Sequence, residues 1–122
     1  MAKKAPPKPP ANLRRGGAAL WRRIVGVLAL EPWELEHLRL ACEQRDLADD
    51  LAKHLDEEGM IVPGSAGQPT LNKAVGELRA ARQAVSSHLA RLKWPADAAA
   101  GHRPGTFDSG RARAAAMARW HG

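Results

Sequence analysis

The sequence predicts an all-α fold: three main helices, a short hairpin or ordered loop between the second and third, and flexible basic termini. Three observations carry that expectation. Apolar residues recur at helical spacing in three separate stretches. Proline or glycine stands at the ends of those stretches. Aromatic side chains are scarce, with four Trp, one Phe and no Tyr among 122 residues, so a core must be built from Leu, Val, Ile and Ala.

The opening segment, MAKKAPPKPPA (1–11), is read as a disordered Pro/Lys tail, because proline removes backbone donors and favours extended geometry. It can serve as a phosphate-binding arm or as a solubilising tail. The first helix is expected from about Gly17 to Leu30, with Leu20, Ile24, Val25 and Leu28 on its apolar face. A sharp corner at Glu31-Pro32 then leads into the second helix, since proline ends one helix and suits the first turn of the next.

The second helix is expected over Pro32 to Glu58, stopped by Gly59. It carries two stripes. Leu38, Ala41, Ala48, Leu51, Ala52 and Leu55 form one; Trp33, Leu40 and Leu47, seven apart, form the other. Two stripes imply neighbours on two sides, and one of those neighbours can be a second subunit. In MIVPGSAGQP (60–69), a β-prone start and a Pro-Gly turn signal predict the short hairpin or ordered loop. The third helix is expected from Leu71 or Asn72 to Lys93, with Pro95 as its stop. Its apolar stripe runs through Leu71, Ala74, Val75, Leu78, Ala81, Val85, Leu89 and Leu92. The opposite face carries the small residues Gly76, Ala80 and Ser87, which permit close approach of another helix or form a bland solvent face. Residues 12–95 thus make the helical core. Residues 96–122 read as a flexible linker followed by a short basic helix, RARAAAMARW, too short to be stable alone.

Net charge is +6, which favours a polyanion as partner, nucleic acid first. The charge is segregated. Lys3, Lys4, Lys8, Arg14, Arg15, Arg22 and Arg23 make the start basic, and the 73–93 stretch is basic again. Between them, residues 31–58 hold ten carboxylates against three basic side chains. Such alternation suits docking between subunits as well as DNA contact.

Catalytic chemistry has no visible carrier. A lone cysteine, Cys42, excludes an internal disulfide and a cysteine-cluster zinc site. There is no phosphate-binding Gly-rich loop with its lysine, and no HExxH. His37 lies five residues from Cys42, which is poor spacing for a shared metal, and His54, His88, His102 and His121 are scattered. No metal site or cofactor is therefore expected. Asp49-Asp50 and Asp56-Glu57-Glu58 would be the ligands in a Mg²⁺ nuclease. Adjacent residues on a helix point apart, so a solvated acidic face is the simpler reading. No secretion signal is expected, and the apolar run from Ile24 to Leu30 is far too short to span a bilayer. Arg14, Arg15, Arg22 and Arg23 near the entry of the first helix are the first candidates for phosphate contact. The corner does join two helices, but Glu34 and Glu36 open the second, a poor face for an ordinary helix-turn-helix. Shape and charge recognition fits better than base readout.

The order of elements resembles phage terminase small subunits, particularly those of tailed phages and prophages of actinobacteria. The resemblance rests on Gly17-x-x-Leu20-Trp21-Arg22-Arg23-Ile24-Val25, the Leu30-Glu31-Pro32-Trp33-Glu34-Leu35-x-x-Leu38 corner, Ala41-Cys42-Glu43 with Asp46, the EEGMIVPGSAGQP turn, and Leu89-Ala90-Arg91-Leu92 before Pro95. It spans roughly Asn12 to Pro95. Asn72-Lys73 stands where relatives often have a proline, and Ala96-Asp97 follows Pro95 in place of an arginine-containing segment.

The resemblance implies a non-catalytic DNA-packaging protein of the host cytoplasm that forms rings, holds double-stranded viral DNA and regulates a large subunit bearing the ATPase and nuclease. On that reading the basic residues above, with Arg79, Arg82 and Arg91, would contact DNA. Trp33, Leu40, Leu47, Gly76, Ala80 and Ser87 would join subunits. Arg111, Arg113, Met117 and Trp120 would meet the large subunit. A small dimeric transcriptional regulator is the alternative, which would show sequence-selective operator binding.

Overall fold

The computed structural model describes residues 5–95. Three helices, α1 (Arg15–Val25), α2 (Pro32–Glu58) and α3 (Ala74–Leu89), are joined by a loop and by a two-stranded hairpin, β1 (Ile61–Pro63) with β2 (Pro69–Leu71). The expected three-helix fold with a hairpin between the second and third helices is what forms.

The long α2 is central. Gly17 of α1 lies on Asp46, and Leu28 after α1 meets the cluster containing Leu38, so α1 runs antiparallel to α2. His88 of α3 meets His37, and Asn72 before α3 bonds to Gly59, so α3 is antiparallel to α2 as well. The core is small. Trp21, Ile24, Leu28, Leu38, Cys42 and Leu92 form its buried cluster, and Ala41, Ala48, Ala74 and Ala81 are buried where helices approach closely.

Pro32 and Gly59 bound α2 as expected. Glu31, ahead of the proline, is extended, as the pre-proline residue must be. Gly59 has φ +87°, a conformation that side-chain-bearing residues rarely adopt, and its N–H donates to Leu55 O at 2.8 Å. The hairpin pairs Ile61 with Leu71, Val62 with Thr70 and Pro63 with Pro69. Gly64 N–H donates to Gln68 O and Asn72 N–H to Met60 O, closing the ladder at both ends.

Two boundaries differ from expectation. The first helix does not reach Leu30; it ends at Val25, and the corner is a six-residue connection, Gly26–Glu31. Val27 N–H reaches back only three residues to Ile24 O, a tightened last turn that swings Leu28 into the core. The face of α1 is also rotated from the expected one. Gly17, Trp21 and Ile24 are its buried residues, whereas Leu20 and Val25 are only half-buried. The third helix stops at Leu89, six residues before Pro95, because the chain leaves helical geometry to bury Leu92 and to place Lys93 N–H 2.6 Å from Glu34 Oε2.

Residues 5–11 form no helix or strand, but they are not detached: the Trp21 indole N–H donates to Pro7 O at 2.8 Å. A buried indole needs such an acceptor, and a proline carbonyl, free of ladder duties, supplies it.

Candidate nucleic-acid interface and assembly face

On α1, the residues opposite the buried stripe are Arg15, Ala19, Arg22 and Arg23, all exposed. Their spacing follows from the helical period: Gly17, Trp21 and Ile24 face inward, so the three arginines face outward. Among the described residues no carboxylate forms an ion pair with Arg15, Arg22 or Arg23. Arg22 and Arg23 lie in the last turn of α1, where their charge also complements the helix dipole.

Arg14 is different. It is exposed, but its guanidinium donates to Asp50 Oδ2 at 2.5 Å and to Asp46 O at 3.3 Å. Its backbone N–H donates to Asp46 Oδ2 at 2.7 Å. Part of this residue's task is to fix the start of α1.

That start has no side-chain cap of its own. The cap comes from α2: Asp46 Oδ1 accepts Gly17 N–H at 2.7 Å while Oδ2 accepts Arg14 N–H. A carboxylate near the positive end of a helix satisfies two otherwise unpaired donors. The contact requires Gly17, since a Cβ there would lie 2.6 Å from both Asp46 Oδ2 and Cys42 O. Sequence reasoning singled out Gly17 and Asp46 without linking them. The bond spans 29 residues, and local spacing carries no signal of it.

The acidic block of α2 is largely engaged within the chain. Glu34 takes Glu31 N–H and Lys93 N–H. Glu36 and Glu43 pair with Arg39, and Asp49 pairs with Arg45. The Arg39 hydrogen bond holds the Glu36 carboxyl below its usual range. Asp49 and Asp50, the candidate ligands of a nuclease site, pair with Arg45 on α2 and with Arg14 just ahead of α1 respectively, and the described residues hold no group of three potential metal ligands.

Arg79, Arg82 and Arg91 are exposed, as is Lys8. Arg79 and Arg82 line a shallow hollow with Val75, Leu78, Gln83 and Ser86. Lys3 and Lys4 lie outside the described residues, and so do Arg111, Arg113, Met117 and Trp120.

The second stripe of α2 remains partly uncovered. Trp33 is 56% and Leu47 42% exposed, with Leu40 half-buried between them. On α3, Gly76, Ala80 and Ser87 are exposed, and a Cβ at Gly76 would touch nothing within 4 Å. The hairpin adds Met60, Ile61 and Leu71 to the exposed apolar surface.

Sequence reasoning missed the meeting of His37 and His88. Their Nδ1 atoms are 3.1 Å apart, with ring centroids 5.3 Å apart and planes tilted by 39°. Trp33 stands edge-on to His37 at 6.2 Å. Desolvation, then the charges of His37 and Arg91, hold His88 below the ordinary histidine range. Burial, reinforced by Asp46 and Glu43, pushes the Cys42 thiol up to about 12.

No helix among the described residues is long and apolar enough to cross a membrane. No curated protein and no solved structure matches the chain. The family model for the phage terminase small subunit matches residues 17–95, from the glycine seated on Asp46 to the proline after α3. That span is well over half of the sequence, and the chain belongs to the phage terminase small subunit family.

Proposed function

We propose that this chain is the DNA-holding, non-catalytic component of a viral packaging motor in the host cytoplasm. It binds double-stranded DNA, assembles with copies of itself into a ring and regulates a large subunit that carries the ATPase and nuclease. The observation that carries DNA binding is the exposed arginine face of α1. Arg15, Arg22 and Arg23 have no carboxylate partner among the described residues, whereas most of the acidic block is engaged internally. Backbone phosphates are the natural ligand of such a face, and they confer affinity without base readout. Lys3, Lys4, Lys8, Arg14, Arg79, Arg82 and Arg91 extend this basic surface in the proposal.

Self-assembly is supported by the uncovered stripe of Trp33, Leu40 and Leu47 and by the small-residue face of Gly76, Ala80 and Ser87. A core this small also gains from association. The segment with Arg111, Arg113, Met117 and Trp120 is assigned to the large subunit.

Two measurements test the reading. Fluorescence anisotropy with a duplex probe should show binding that the triple variant Arg15→Ala, Arg22→Ala, Arg23→Ala weakens by about tenfold or more at moderate salt. Unchanged affinity in a folded variant would remove α1 as the interface. Native mass spectrometry should show one dominant closed oligomer, reduced to smaller species by Trp33→Ala with Leu47→Ala. A strict monomer at micromolar concentration sinks the ring.

A further inference from the structure

We propose that His37 and His88 form a two-histidine site for a divalent transition cation of the zinc class, clamping the start of α2 to the end of α3. The two Nδ1 atoms come from different helices and lie 3.1 Å apart. With each nitrogen about 2.0–2.1 Å from a metal, that separation subtends about 100° at the ion, between the roughly 90° of a square-planar pair and the roughly 109° of a tetrahedral pair. The nitrogens therefore stand at ligand spacing, while ring centroids 5.3 Å apart show the rings facing each other nearly end-on, so each ring must turn towards an ion lying beside the N···N line.

In the free protein the same geometry is a hydrogen bond, in which one ring holds a proton on Nδ1 and the other accepts. A metal displaces that hydrogen bond and sits to one side of the N···N line. The proton moves through water to Nε2 of its own ring, so both Nδ1 lone pairs face the ion and a neutral pair loses no proton overall. Both rings are half-buried. No third protein ligand stands close enough among the described residues, so this is a site of modest affinity. Hard oxygen-seeking ions such as Mg²⁺ are not its ligands, because imidazole suits Zn²⁺, Cu²⁺ and Ni²⁺. The Lys93 backbone N–H already donates to the Glu34 carboxylate near the same two ends, so a metal would reinforce an existing junction.

The test is calorimetric titration of the full chain with Zn²⁺, with Mg²⁺ as control. One Zn²⁺ per chain should bind and Mg²⁺ should not. His37→Gln and His88→Gln should each weaken binding by at least about tenfold, while His54→Gln on the same helix should leave it unchanged. Nitrogen-15 NMR of the unsubstituted protein gives a readout free of folding defects: the Nδ1 signals of His37 and His88 should move together as one equivalent is added. The proposal is overturned if Zn²⁺ fails to bind up to millimolar concentration, if either variant binds as well as the parent, or if the shifted signals belong to His54, His102 or His121.

Discussion

At the scale of single residues, the most consequential contact is a carboxylate that serves a helix it does not belong to. Asp46 is 6% exposed and accepts two backbone N–H groups at the start of α1. Asp46→Ala leaves both donors without their acceptor and should cost about 2–3 kcal/mol, read from chemical denaturation. Gly17→Ala poses a sharper question of sign. Alanine is favoured in helix interiors by about 1 kcal/mol over glycine. Here its methyl would press on a backbone carbonyl and on the Asp46 carboxylate, so the net effect should be destabilising by about 1–3 kcal/mol. A stabilised Gly17→Ala variant would mean that α1 does not sit this close to α2. Cys42 lies in the same packing layer, fully buried, and its thiol is pushed up to about 12. A thiol-specific reagent at pH 8 should leave it unmodified in the folded chain and label it on unfolding. His88 is shifted the other way, and the sign matters. Its folded value lies below the unfolded one, so the unfolded chain binds the proton first. Stability from this group is full above about pH 6.5 and declines as pH falls below that value. An NMR titration should place its midpoint below the ordinary histidine value of about 6.5. His37→Gln should raise it only in part, because desolvation is the larger cause.

At the scale of elements, what was legible is what local chemistry decides. Pro32 opens α2 and Gly59 closes it because one residue lacks an N–H and the other tolerates positive φ, and both facts are readable within a few positions. The Pro63-Gly64 turn signal located the hairpin for the same reason. The ends of α1 and α3 were not legible because tertiary contacts set them. Leu28 leaves α1 to enter the core, and Lys93 leaves the line of α3 to meet Glu34. The periodic stripe continues through both points, so a reading by period overruns each. Glu34 joins the two ends concerned. Its two oxygens bind Glu31 N–H at the entry of α2 and Lys93 N–H after α3, and the residue is 2% exposed. Glu34→Ala should destabilise the fold by about 2–3 kcal/mol. It should also raise hydrogen exchange at the Lys93 amide far more than at amides in the middle of α3. Equal effects at both places would show a global loss and not a released junction.

At the scale of the molecule, charge partitions in a way the linear sequence obscures. The sequence shows an acidic block between basic ones, which reads as an obstacle to nucleic-acid binding. In the fold, Glu34 and Asp46 are buried on backbone donors, and Glu36, Glu43, Asp49 and Asp50 each have an arginine partner. Three basic residues, Arg14, Arg39 and Arg45, are used in these pairs, whereas Arg15, Arg22, Arg23, Arg79, Arg82 and Arg91 have no carboxylate partner among the described residues. A net charge of +6 is therefore expressed at the surface as arginine-rich faces and not as a uniform excess. Ionic strength tests this directly. Each phosphate neutralised on duplex DNA releases condensed counterion and adds about 0.9 to the slope of log affinity against log salt. Removing Arg15, Arg22 and Arg23 together should lower that slope by about 2–3 per chain bound, with the loss similar on unrelated duplex sequences. If the slope is unchanged while affinity falls for one sequence only, those arginines read bases, and the operator-binding alternative gains the ground that the phosphate-holding model loses.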